Sequence, residues 1–201
     1  MKILLTGANG YIGMRLLPQL VAAGHDVYCA VRDPKRLSIS SALAEKITIL
    51  RLDFLSPENG DALPLDIDVA YYLIHSMSSD DGDFLSMEAK CADNFCALLE
   101  KTAAQQIIYL SGIVNDKALS KHLSSRKNVE DILKKSTIPT TVLRAGIIVG
   151  SGSASFEIIR DLCEKLPFMI TPKWVNTKSQ PIAIRNVMEY LTGVLLHPKC
   201  M

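Results

Sequence analysis

Short runs of β-branched and apolar residues alternate along the first three quarters of the chain with longer segments of helical spacing. The runs cover 2–6, 26–30, 47–52, 69–74, 106–110 and 140–144. Most are apolar at successive positions, as in Ile3-Leu4-Leu5 or Tyr71-Tyr72-Leu73-Ile74, which is how a strand reads when helices cover both of its faces. Between them the spacing predicts helices from Gly10 to Gly24, over 84–104 and over 124–135. In the second of these, Leu85, Ala92, Phe95, Cys96, Leu99 and Ala103 fall on one stripe. In the third, Val129, Ile132 and Leu133 point inward.

Strand–helix–strand alternation predicts an α/β fold, a doubly wound parallel sheet with right-handed crossovers of the Rossmann kind. Pro18 falls inside the first helix and predicts a local bend there. No internal repeat or low-complexity linker divides the 201 residues, so one domain is expected. Its core is 1–150, and 151–201 is a dependent segment with helices over 156–166 and 185–196. That tail is expected to cap the C-terminal edge of the sheet, on the substrate side.

Charge narrows the function. Twenty-two Lys and Arg against 21 Asp and Glu leave +1, which gives no electrostatic case for nucleic acid. No run approaches 18 apolar residues and no secretory leader is legible, so a cytoplasmic protein without a membrane span is expected. Cys29, Cys91, Cys96, Cys163 and Cys200 are odd in number and lack C-x-x-C spacing. They read as free thiols, with neither metal nor disulfide.

The most informative segment is Thr6-Gly7-Ala8-Asn9-Gly10-Tyr11-Ile12-Gly13, which follows a strand and opens a helix. Gly7 permits a tight turn, Gly10 lets a phosphate approach the backbone, and Gly13 lets helix and strand pack closely. The free amides and dipole of the helix start then favour a pyrophosphate.

This Gly-x-x-Gly-x-x-Gly turn resembles the fingerprint of the short-chain dehydrogenase/reductase superfamily, in its extended or atypical branch. The likeness continues through Val31-Arg32-Asp33-Pro34, Leu52-Asp53 and Tyr109-Leu110-Ser111-Gly112. The runs 71–77 and 150–157, with Trp174 and 180–185, look like the NmrA-like or epimerase-like NAD(P)-binding subgroup. The resemblance implies a cofactor held by Gly7, Ala8, Asn9, Gly10, Tyr11, Ile12, Gly13, Arg32, Asp53, Leu73, Ile74 and His75.

NADP is the expected cofactor, with NAD as the alternative. An acid at the end of the second strand would bond the ribose 2′-OH of NAD, whereas Arg pairs with the 2′-phosphate of NADP. The chain has Arg32 followed by Asp33, with Lys35 and Arg36 close behind. Asp53 reads either as an adenine contact or as a strand-end turn residue, and His75 either as a cofactor or substrate contact or as a histidine held by backbone. Asp80, Asp81 and Asp83 read as a loop that caps the following helix. Ser151, Ser153, Lys173, Trp174, Gln180 and Arg185 read either as pocket-lining or as solvated.

Dehydrogenases of the superfamily place a Ser after the fifth strand and Tyr-x-x-x-Lys on the next helix. Ser111 fits the first element, but the second reads His122-Leu123-Ser124-Ser125-Arg126. Either His122 moves the proton, the ordinary imidazole pKa of ~6.5 suiting that task, while Arg126 holds ribose hydroxyls, or the catalytic pair has been lost. Three functions follow: an NADP-dependent oxidoreductase on an unidentified small substrate, a non-catalytic NADP(H)-binding sensor, or a nucleotide-sugar epimerase or dehydratase. The chain also reads as a shortened version of longer subgroup members. The superfamily further implies a homodimer through the helices at 84–104 and 124–135.

Overall fold

The computed structural model describes residues 1–75, 84–113, 121–166, 168 and 178–201, with only the backbone of Phe84, Lys121, His122 and Ser155. The loop of Asp80, Asp81 and Asp83, together with Lys173 and Trp174, lies outside the described residues.

Six strands, β1 (Lys2–Thr6), β2 (Asp26–Val31), β3 (Ile47–Arg51), β4 (Val69–Tyr72), β5 (Gln106–Gly112) and β6 (Thr140–Ala145), form one sheet in the order β3-β2-β1-β4-β5-β6. Every pairing is parallel. The order reverses between β1 and β4, which opens a crevice at the strand C-termini where such sheets bind ligands. The helices are α1 (Tyr11–Ala22), the single turn α2 (Ser41–Ala44), α3 (Phe84–Leu99) and α4 (Lys121–Leu133). Beyond β6 come β7 (Ile148–Val149), α5 (Ala154–Lys165), β8 (Ile182–Ala183) and α6 (Ile184–Gly193), with β7 and β8 paired in a small second sheet.

Period-two alternation along the strands supplies two cores. Ile3, Leu5, Tyr71, Leu73, Ile108 and Leu110 face α1 and α6, meeting Leu16, Leu17, Leu20, Val187 and Leu191. Leu4, Ala70, Tyr72, Ile107 and Tyr109 face the other way, onto Phe95 and Leu99 of α3 and Val129 and Leu133 of α4. Tyr72 packs edge-on against Phe95 at 4.9 Å between ring centroids.

Two expectations about helices change. α3 stops at Leu99, where the chain turns so that Ala103 N donates to Leu65 O at 2.7 Å, and Leu85 and Ala103 lie exposed while Ala92, Phe95 and Leu99 are buried. Pro18 sits inside an unbroken α1, on its exposed face, so the carbonyl it leaves without a donor faces outward.

The tail divides into two parts. α6 lies against α1 on the sheet face rather than over the strand ends. It is fastened by Tyr71 Oη donating to Leu191 O at 2.7 Å and by buried Gln106, whose amide reaches Val194 O at 2.9 Å. β7, α5 and β8 form the part that follows the end of the sheet. Among the described residues no helix is long and apolar enough to cross a membrane, and no cluster of three metal-ligating side chains occurs. All five cysteines are free.

Candidate functional site

The glycine turn is built by close packing. Gly7 has φ +65°, and a Cβ on it would stand 2.3 Å from Leu73 O. A Cβ on Gly13 would meet Gly7 O at 2.3 Å. Both positions therefore exclude side chains for folding reasons alone. Thr6 completes the junction: its hydroxyl donates to Tyr71 O at 2.9 Å and accepts from Leu73 N at 3.1 Å, locking β1 to β4 at the switch point.

Gly10 is different. It caps α1 with φ −83°, which any residue adopts, and a Cβ there would meet one atom, Gly7 O, at 3.2 Å. A side chain here asks Gly7 O to give way by a few tenths of an ångström, a far weaker demand for glycine than at Gly7 or Gly13. What its missing side chain leaves open is the approach to the first-turn amides of α1, which have no intrahelical acceptor. The turn thus offers a cradle that a side chain would narrow, which fits an anionic group such as a pyrophosphate.

At the far end of β2, Arg32 is exposed, whereas the Asp33 side chain turns into its own backbone and accepts from Lys35 N at 3.0 Å. Asp53 does likewise after β3, accepting from Leu55 N at 3.0 Å, the strand-end turn role. Its neighbour Phe54 is pinned from α3, where Asn94 Nδ2 donates to Phe54 O at 2.7 Å.

Ser111 lies one residue before the end of β5 with 1% of its surface exposed, and its Oγ has no hydrogen-bond partner among the described residues. A buried hydroxyl is seldom left so. Arg126 lies beside it: its Cδ and Nη1 would be 3.7 and 3.8 Å from a Cβ on Gly112. Tyr109, two residues before Ser111 on the same face, donates to Arg126 O at 3.2 Å. Burial pushes the Tyr109 phenol up to about 12, with the nearby Ser111 hydroxyl and the Arg126 charge pulling the other way.

His75 follows β4, its ring 6.4 Å from that of Tyr109. Desolvation lowers its pKa to about 3; the Arg126 charge adds to this and the Leu110 carbonyl opposes it. The residue as a whole is nonetheless exposed. The direction of the shift therefore reflects the protein packed around the crevice and the guanidinium, not full removal from water. The structure so brings Ser111, Arg126 and His75 to one end of β4 and β5. His122 lies on α4 one turn before Arg126, and its side chain is outside the described atoms.

Sequence reasoning missed one contributor. Arg15 stacks its guanidinium 3.9 Å from the centre of the Tyr11 ring and donates from Nη2 to Ser151 O at 2.5 Å. The loop entering α5 is thus tied to the first turn of α1. The Tyr–Arg pair four residues apart on one helix was the available signal. Ser153, expected to line a pocket or face solvent, instead donates to Ile148 O at 2.7 Å and holds that loop.

A parallel sheet in this order, with a glycine turn at its switch point, defines a nucleotide-binding Rossmann protein. More particularly, the chain belongs to the NAD(P)H-binding family, whose profile matches residues 7–165. No curated protein matches the sequence. Among solved structures, the yeast methylglyoxal/isovaleraldehyde reductase complexed with NADPH superposes with a TM-score of 0.77 at 14% identity, over 100% of this chain and 76% of the other. UDP-glucose 4-epimerase from Thermotoga maritima gives 0.73 at 13% identity, over 98% and 74%. UDP-glucuronic acid 4-epimerase from Bacillus cereus, complexed with NAD, gives 0.72 at 20% identity, over 97% and 72%. The fold is that of the extended short-chain dehydrogenase/reductase and epimerase structures.

Proposed function

We propose that the chain is an NADP(H)-dependent oxidoreductase acting on a small carbonyl substrate. The observation that carries this is Gly10, a glycine that the backbone requires far less than Gly7 or Gly13, at the mouth of a cradle in a chain of the NAD(P)H-binding family. When bound, the nicotinamide supplies or accepts the hydride.

The first-turn amides of α1 hold the pyrophosphate, and Leu73, Ile74 and His75 flank the dinucleotide where β4 ends. NADP is favoured over NAD because Arg32 is exposed at the end of β2, with Lys35 and Arg36 exposed close behind it. Asp53 accepts from the adenine amino group through the carboxylate oxygen that Leu55 does not use.

Ser111 bonds the substrate oxygen through a buried hydroxyl that has no hydrogen-bond partner among the described residues. His122 delivers the proton, with Arg126 on the ribose hydroxyls and its charge helping to keep His75 neutral. Hydride transfer to a panel of aldehydes and ketones, followed at the NADPH absorbance, tests this. Ser111→Ala and His122→Ala should each lower kcat by about a hundredfold or more at unchanged NADPH affinity. An active substrate indifferent to His122→Ala removes that residue from the mechanism.

One observation favours a second reading. His and Arg stand where the resemblance has Tyr and Lys, and Arg cannot relay a proton. Tight NADPH binding with no turnover of any carbonyl would make the chain a cofactor-sensing module.

A further inference from the structure

Arg126 is a half-buried cation that pairs with no carboxylate among the described residues. The two carboxylates whose charges reach its neighbour Tyr109 are both engaged elsewhere. Glu130, one turn further along α4 and 2% exposed, is shared between two cations, accepting from Arg144 Nη2 at 2.5 Å and from Lys134 Nζ at 2.6 Å. Glu88 of α3 accepts from the buried Ser125 hydroxyl. His75, held neutral, adds no charge of its own.

The guanidinium is also fixed in place. The Arg126 carbonyl accepts from Tyr109 Oη at 3.2 Å, and the preceding residue is tied to α3 through Glu88. Its side chain crosses the end of β5 in the space that glycine leaves at position 112, where a Cβ would stand 3.7 Å from Cδ and 3.8 Å from Nη1. Ser111 is the adjoining residue of the strand, with its buried hydroxyl lacking a partner among the described residues. One strand end thus presents, side by side, a hydroxyl for an oxygen and a cation for an anion, both held before any ligand arrives.

We propose that the substrate is a short carbonyl compound with a carboxylate next to its carbonyl carbon, an α-keto acid, whose carboxylate lies on the Arg126 guanidinium and whose carbonyl oxygen lies on Ser111. This rests on the reading that the crevice takes NADPH and a carbonyl compound. The carbonyl carbon takes the hydride and its oxygen the proton that His122 gives up, leaving the hydroxy acid and NADP+ with the carboxylate unchanged. Lys, which stands at this position in the resemblance, is a point charge that ribose hydroxyls satisfy. A guanidinium has N–H groups to spare beyond the ribose, in a planar fork that matches a carboxylate. A neutral ketone would bury that cation with nothing to pair with.

Calorimetric titration of racemic lactate beside racemic lactamide tests the inference, because neither can take a hydride and the two differ chiefly in charge. On protein saturated with NADPH, lactate is expected to bind about tenfold or more tightly than lactamide. Arg126→Gln should bring that ratio to about one by weakening lactate alone, and Arg126→Lys, which keeps the charge and loses the fork, should leave it in between. Ser111→Ala should weaken both ligands alike, since each offers it the same hydroxyl. A ratio near one in the parent, a ratio that survives Arg126→Gln, or no binding of either ligand overturns the inference. An Arg126 that only braces the crevice would weaken both ligands together, which overturns it as well. NADPH is titrated separately: if it does not bind, the cofactor reading fails, and the same ratio measured on the protein alone still decides for or against the Arg126 site.

Discussion

The Tyr11 hydroxyl lies beneath the backbone of Gly150, so close that a Cβ on Gly150 would stand 2.6 Å from it. That hydroxyl is buried without a hydrogen-bond partner among the described residues. The contact joins the turn that opens α1 to the loop that enters α5. Gly150→Ala has to push Tyr11 or Ile184 aside and should cost about 1–3 kcal/mol in urea denaturation, with faster hydrogen exchange over 151–165. Tyr11→Phe removes an unsatisfied polar group and should leave stability unchanged or raise it by about 1 kcal/mol.

The glycines of the turn separate by mechanism. Gly7→Ala and Gly13→Ala each drive a methyl to within 2.3 Å of a backbone oxygen. Both should destabilise the fold by several kcal/mol, about 3 or more, through strain and lost packing. Gly193→Ala, at the end of α6 with nothing within 4 Å, is the control and should be neutral or stabilising by up to about 1 kcal/mol. Urea midpoints of the three variants check the order.

His75 makes stability depend on pH. The unfolded imidazole takes up its proton at about pH 6.5, whereas desolvation and the Arg126 charge hold the folded pKa below that. Between those values the unfolded chain binds more protons, so stability falls as pH drops below ~6.5 and levels off only near the folded pKa. His75→Asn should flatten the slope of unfolding free energy between pH 7 and pH 5. The ring resonances of His75 should not titrate over the same range, and a midpoint above 6 would contradict the environment described.

Much of this was legible in the residues. Short continuous apolar runs placed all six strands of the main sheet to within two residues, because buried parallel strands are apolar on both faces. The glycine turn announced the switch point through its spacing after a strand, although a local contact dictates only Gly13, and Leu73 O at the end of β4 dictates Gly7. What escaped was long-range. The end of α3 is set by a loop bond between Ala103 and Leu65, which no spacing reveals. The placement of α6 on the sheet face depends on Gln106, a buried polar residue in a strand, meeting Val194 and Leu196 some ninety positions later. The Arg15–Ser151 clamp spans 136 positions and has no local signature on the loop side.

Cofactor choice turns on Arg32. Arg32→Ala should weaken NADPH by about tenfold or more while leaving NADH nearly unchanged, because a guanidinium–phosphate pair is lost in one case and nothing in the other. Parallel fluorescence titrations measure the ratio, and an equal loss for both cofactors would detach Arg32 from the 2′-phosphate.

The most direct test is an NADPH titration of the protein beside its Gly10→Ala variant. The φ of −83° and the 3.2 Å approach to Gly7 O mean that the variant should fold, with a urea midpoint far nearer the parent's than those of Gly7→Ala and Gly13→Ala, yet its methyl narrows the approach to the first-turn amides. One NADPH per chain is expected for the parent, with affinity falling about tenfold or more in the variant. A parent protein that binds neither NADPH nor NADH, or a variant that binds as tightly as the parent, would contradict the account.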